Sequence, residues 1–282
     1  AEGPAEGPAE GPAEGRQLRL TPAGATLDGA DTETTPAPTG DAVWWDGFAF
    51  AEPALRTSYP VMEILREQRQ LTPEQLMQDN PIAEIVLTET DPDGDDWGAT
   101  STFVYPLGFP PGVLDATYLE VARDDSTTYF RAEFTHLVPR DSLGFPPTMV
   151  AIVIDTEPGG ARRVGRGADY EFPRGEGYQY VLFIGDGVLI EDARGRVLGE
   201  LPAGQSVFDY RTGSLTLSVP TFVLPRLPRG ARVTMLVGAR TAGGGVGEFR
   251  RVAREATEDV GGGRVDPRSP NVYDVVSGRI SR

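Results

Sequence analysis

From Ile82 onward, apolar positions recur at short, strand-like intervals. Ile85 to Thr88 form an apolar run that enters an acidic loop, and Tyr118 to Ala122 form a second. Between Thr127 and Leu137 polarity alternates. Phe130, Ala132, Phe134 and His136 fall on one face, and Arg131, Glu133 and Thr135 on the other, the period of two that a half-buried strand requires. Met149 to Ile154 (MVAIVI) carries no polar position, which predicts a strand covered on both faces. Tyr178 to Ile184 and Val188 to Glu191 flank Gly185-Asp186-Gly187, a hairpin signal. Leu215, Leu217 and Val219 alternate with Thr216 and Ser218, and Val233 to Val237 is a further run. Gly and Pro punctuate these runs at short intervals, so the pattern predicts an all-β antiparallel sandwich rather than alternating βαβ units.

The first 84 residues read differently. Residues 1–15 repeat AEGP. Pro at every fourth position blocks helical hydrogen bonding, so the repeat predicts an extended or disordered acidic tether. A second Pro/Thr/Gly-rich stretch runs from Asp31 to Gly40, and a short strand is expected between Arg16 and Leu27. Thr32, Thr34, Thr35 and Thr39 read as linker or as acceptors of O-linked sugar. Beyond Trp44 and Trp45, the spacing of Val61, Ile64 and Leu65 is helical. Thr72 can cap a second helix, with Pro73 at its first position and Gln75 closing a capping box. The expected organisation is a tether over 1–40, a short helical segment over 41–84, a sandwich over 85–276 and a tail over 277–282. Trp44 and Trp45 are the expected partner-binding residues.

Composition narrows the chemistry. The 282 residues include no Cys and one His, and all 26 basic residues are Arg. That excludes disulfides, thiolate or multi-histidine metal sites, lysine Schiff bases and a P-loop lysine. A net charge of -16 repels phosphate backbones, so no nucleic-acid partner is expected. No run approaches the ~20 apolar residues of a membrane span. With no signal peptide ahead of the AEGP repeats, the chain reads as the mature form of an exported protein. Asn occurs only at Asn80 and Asn271. With no Cys and many Pro, this fits a heat-adapted host; GC-rich coding or a salt-loving host fits the all-Arg, acidic balance equally.

The densest candidate chemistry is Asp91, Asp93, Asp95 and Asp96, followed by Trp97. Four carboxylates within six residues repel one another unless solvent or a cation screens them. The run reads as a solvated turn or as a calcium site, with Asp155 as a further ligand. It is not an EF-hand, since Asp96 stands where that loop requires Gly and Thr102 where it requires Glu. His136 reads as a core residue; haem ligation requires Met149 as its second ligand. Trp97, Tyr105, Tyr178 and Tyr273 are the candidates for stacking on a sugar ring. No GxSxG, HExxH or GxGxxG motif is present, and scattered carboxylates do not specify glycoside hydrolysis.

Thr90-Asp91-Pro92-Asp93-Gly94-Asp95-Asp96-Trp97-Gly98, with Tyr105-Pro106 after it, resembles the opening of the C-terminal domain of glucodextranases. Phe109 to Asp115, Val153 to Thr156, Ser218 to Pro220 and the closing stretch from Gly262-Gly263 through Pro270-Asn271-Val272-Tyr273-Asp274 continue the resemblance over roughly residues 85–276. It implies an immunoglobulin/DOMON-like sandwich, akin to family-nine carbohydrate-binding modules and found in secreted α-glucan-degrading enzymes. It also implies a non-catalytic, extracellular or cell-surface role in binding glycan or cell-envelope polysaccharide, with calcium stabilisation. The 84 residues ahead of the matching stretch are not expected to hold a catalytic barrel. The alternative expectation is a structural subunit of a surface layer or filament, whose N-terminal extension adds a strand to another copy of itself.

Overall fold

MVAIVI forms a strand because it has apolar neighbours on both sides. In the computed structural model, residues 49–50, 83–138, 147–201, 207–241 and 246–281 are described. They belong to one compact unit spanning Asp41–Arg282. The strands are β1 (Ala49–Phe50), β2 (Glu84–Thr90), β3 (Ala116–Arg123), β4 (Thr127–Phe134), β5 (Thr148–Asp155), β6 (Tyr180–Ile184), β7 (Val188–Asp192), β8 (Val197–Leu201), β9 (Phe208–Asp209), β10 (Ser214–Pro220), β11 (Arg232–Ala239) and β12 (Asp274–Arg279). They build a seven-stranded sheet, β1-β8-β7-β6-β5-β11-β12, and a five-stranded sheet, β2-β3-β4-β10-β9. Every strand pair is antiparallel.

The principal core lies between the sheets. Val150, Ile152 and Ile154 of β5 meet Leu119 and Val121 of β3, Phe130 of β4 and Leu217 of β10 in one buried cluster. The opposite face of β5, with Met149, Ala151 and Val153, joins a second cluster. There the loop after β5 packs Val164, Ala168, Phe172 and Tyr178 onto the sheet, and Val246, Phe249 and Val272 add to the cover. The unbroken apolar run therefore reflects two buried faces.

The sequence expectations differ from the fold at three places. The alternation of β4 stops at Phe134, where the chain turns to bond Thr135 N–H to Asp115 O (3.0 Å) and His136 N–H to Gly112 O (3.1 Å). His136 is consequently exposed rather than in the core, and Met149 is buried in the second cluster, so the haem pairing has no geometric basis. β12 continues to Arg279 and Ile280 is buried, so the body extends into the stretch assigned as a tail. Within the segment expected to be helical, Ala49–Phe50 form a strand on β8 of the same chain. That edge is the kind a strand-adding neighbour would need. The helical expectation at 61–82, the tether over 1–40, and Trp44 and Trp45 lie outside the described residues. Among the described residues no helix is long and apolar enough to cross a membrane.

Candidate functional site

The acidic loop leaves β2 at Asp91 and the chain re-enters the sheet at β3, on the end of the molecule where β12 begins. Its Trp97 is held by its own loop. The indole Nε1 donates to Gly94 O (2.6 Å), the Trp97 N–H donates to Asp95 O, and the Trp97 carbonyl accepts Phe103 N–H. Gly98 N–H donates to Tyr273 O (2.8 Å), tying the loop to the residue before β12. Gly98 has φ +68°, and a Cβ there would lie 2.2 Å from the Phe103 ring, so only glycine permits this approach. The far side of the loop is laced to the Gly262-Gly263 segment. Val104 and Gly262 exchange both backbone hydrogen bonds, and Thr102 Oγ1 donates to Gly263 O. At Gly263, φ is +86° and a Cβ would stand 1.8 Å from Thr102 O.

This bracing holds an aromatic side chain outward. Trp97 is 53% exposed, and Val104 and Leu107 further along the same loop are exposed as well. The other predicted stacking residues differ. Tyr273 is 1% exposed, lies edge-on to Phe103 and Tyr105, and donates its hydroxyl to Val104 O (3.0 Å). Tyr178 is 6% exposed in the second cluster and donates to Arg163 O. Both rings are packed on protein and have no face to offer a ligand. Tyr105 is partly buried against the core, and its hydroxyl accepts Leu114 N–H (3.3 Å). Of these four predicted stacking residues, Trp97 is the one more than half exposed.

Behind Trp97 the carboxylates converge. Asp91, Asp95 and Asp274 each bring an oxygen within 4.8 Å of the other two. Like charges brought that close repel one another and favour the protonated form of at least one of them. Asp274 Oδ2 accepts Ala116 N–H (2.8 Å) and its Oδ1 accepts Val275 N–H (2.6 Å). Burial nonetheless pushes its carboxyl up to about 8, with the Asp91 charge adding to the rise. Asp96 is pushed up to about 6 by burial and by Asp115. Asp91 and Asp115 are also raised, chiefly by burial. Asp115 is 1% exposed; its Oδ2 accepts Gly94 N–H (2.9 Å) from inside the acidic loop, while its Oδ1 is buried without a partner. Asp91 Oδ2 is likewise buried and unpartnered. Thr135 Oγ1 lies 2.7 Å from Asp93 Oδ1 and 2.6 Å from Asp115 Oδ2. A hydroxyl has one proton, so it cannot donate to both oxygens at once.

Sequence reasoning located the loop but missed Asp115 and Asp274. Each is an acid beside apolar neighbours, in VLDAT and VYDVV, and an ionised group in such a run is the signal that could have found it. Asp155 does not join them. It ends β5 opposite Arg232, whose guanidinium lies 3.3 Å away, whereas Asp274 pairs with Val237 further along β11.

Among the described residues, Asp91, Asp95 and Asp274 are the group whose carboxylate oxygens could hold a metal ion. Residues 86–280 match the protein family described as the C-terminal binding module, SLH-like, of glucodextranase. No curated protein matches the chain.

Proposed function

The chain belongs to the family of C-terminal binding modules of glucodextranase, and from that membership we propose a non-catalytic module that binds carbohydrate at the Trp97 end of the sandwich. The observation that carries this reading is an exposed indole whose ring nitrogen, backbone nitrogen and carbonyl are all engaged by the protein. A platform fixed before the sugar arrives loses little freedom on binding. Carboxylates beside it accept hydroxyl protons from a neutral sugar, and their charge disfavours phosphorylated ligands. The proposed ligand is an α-glucan or a cell-envelope polysaccharide, and the proposed setting is the cell surface. One open face buries little area, so a dissociation constant on the order of 1 mM is expected.

The test is affinity electrophoresis of the full chain through gels containing α-glucan or envelope polysaccharide, followed by calorimetric titration with oligosaccharides of whichever retards it. The proposal predicts retardation by one of the two. Unchanged mobility in both contradicts it.

A further inference from the structure

We propose that the outer face of the five-stranded sheet is a docking surface for the chain's own connecting segment, residues 51–82, which runs between β1 and β2. This goes beyond the carbohydrate reading and does not depend on it.

The inner face of that sheet carries Leu119, Val121, Phe130, Leu217 and Val219. The alternate positions point the other way. There one cross-strand row runs Ile85, Ala122, Tyr129, Ser218, and the next runs Thr88, Glu120, Arg131, Thr216. The second face of an antiparallel sheet is commonly wet, and at the β2 edge it is, for Ile85 is 50% exposed. Over β3, β4 and β10 it is not. Ala122, Tyr129 and Ser218 are 2, 4 and 8% exposed, and Glu120 is buried beside them. Ala122 and Tyr129 belong to neither of the two apolar clusters. Tyr118 donates its hydroxyl to Glu120 (2.7 Å) and Arg131 pairs with Glu133, contacts that run along the sheet. The burial arises within one copy of the chain, so the cover belongs to the same molecule.

Connectivity points to the occupant. β1 lies at one edge of the seven-stranded sheet, beyond β8. β2 lies on the other side of the body, beside β12, where Ser281 N–H donates to Val86 O (2.9 Å). Residues 51–82 therefore have to cross from one side to the other. Six strand intervals at ~4.8 Å span roughly 29 Å, well within the reach of that length of chain even where it is helical at ~1.5 Å per residue. The space between the sheets is filled by the principal core, and the outer face of the seven-stranded sheet by the loop after β5 with Phe249 and Val272. The outer face of the five-stranded sheet is the broad route left. The segment suits it: Val61, Ile64 and Leu65 recur at helical spacing, and Leu71, Leu76 and Met77 follow. An apolar stripe of that kind needs a surface to bury it, and Ala122 with the Tyr129 ring supplies one.

The experiment is hydrogen-exchange mass spectrometry of the full chain without ligand, at two protein concentrations. Amides over 61–78 are expected to exchange at least about tenfold more slowly than their unstructured rates, equally at both concentrations. Ala122→Glu places a charge in the middle of the face and is expected to return 61–78 to near-unstructured rates, while β5 and β11 keep the parent's protection. Leu65→Asp alters the segment and leaves the sheet untouched, so it repeats the test should Ala122→Glu fail to fold. The proposal is overturned by unstructured rates over 61–78 in the parent. It is equally overturned by protection there that survives Ala122→Glu in a folded variant, or Leu65→Asp where that variant does not fold. Protection that disappears on dilution would assign the face to a second copy and overturn it too.

Discussion

Replacing Tyr273 with alanine is expected to destabilise the protein by about 3–5 kcal/mol, the range for deleting a large buried aromatic side chain. The ring is enclosed by Phe103 at 5.6 Å and Tyr105 at 5.4 Å between centroids, both edge-on. Its loss leaves a cavity as well as forfeiting buried area. The hydroxyl is bonded to Val104 O, so Tyr273→Phe is expected to cost only about 1 kcal/mol. Chemical denaturation of the two variants measures both. The pair also separates two roles for this side chain. If Tyr273 serves by packing, Tyr273→Phe keeps carbohydrate affinity. A large loss of affinity in a stably folded Tyr273→Phe variant would instead place its hydroxyl in the ligand site.

Trp97→Ala is expected to do the reverse, leaving stability nearly intact and removing binding. The side chain is more than half exposed, and exposed positions away from caps and strained backbone change stability by about 0.5 kcal/mol or less. As the sole outward aromatic of the loop among the described residues, it should act as the anchor of the contact. Truncating such an anchor typically costs about 2 kcal/mol or more, roughly a 30-fold loss of affinity. Trp97→Phe keeps an aromatic ring but loses the bond to Gly94 O, so its affinity should fall between the two. Parallel oligosaccharide titrations and melting curves check this, and a Trp97→Ala variant with parent affinity would remove Trp97 from the site.

What could be read along the chain was whatever a local period encodes. β5 was legible because all its positions are apolar, and β4 because its polarity alternates as far as Phe134. β8, β9 and β12 were not. β9 is a two-residue strand, and β12 (DVVSGR) contains a glycine, a residue depleted in strands. The site followed the same rule. The acidic loop and Trp97 stand together in sequence and were visible. Asp115 and Asp274 lie near the loop only because the two sheets bring the starts of β3 and β12 to the end of β2, and strand register sends Asp155 to Arg232 instead. Tyr178 and Tyr273 were candidates for stacking on a sugar ring, and both are buried. Their burial depends on segments far away in sequence, the loop after β5 in one case and Phe103 and Tyr105 in the other.

Carbohydrate bound at the Trp97 end of the two sheets is checked by hydrogen-exchange mass spectrometry of the full chain with and without a saturating oligosaccharide. The expected result is slowed exchange confined to the Asp91–Leu107 loop and the Gly261–Asp274 segment that braces it. Protection centred on the outer face of the five-stranded sheet, or around Asp155 and Arg232, with the Trp97 loop unchanged, would contradict it.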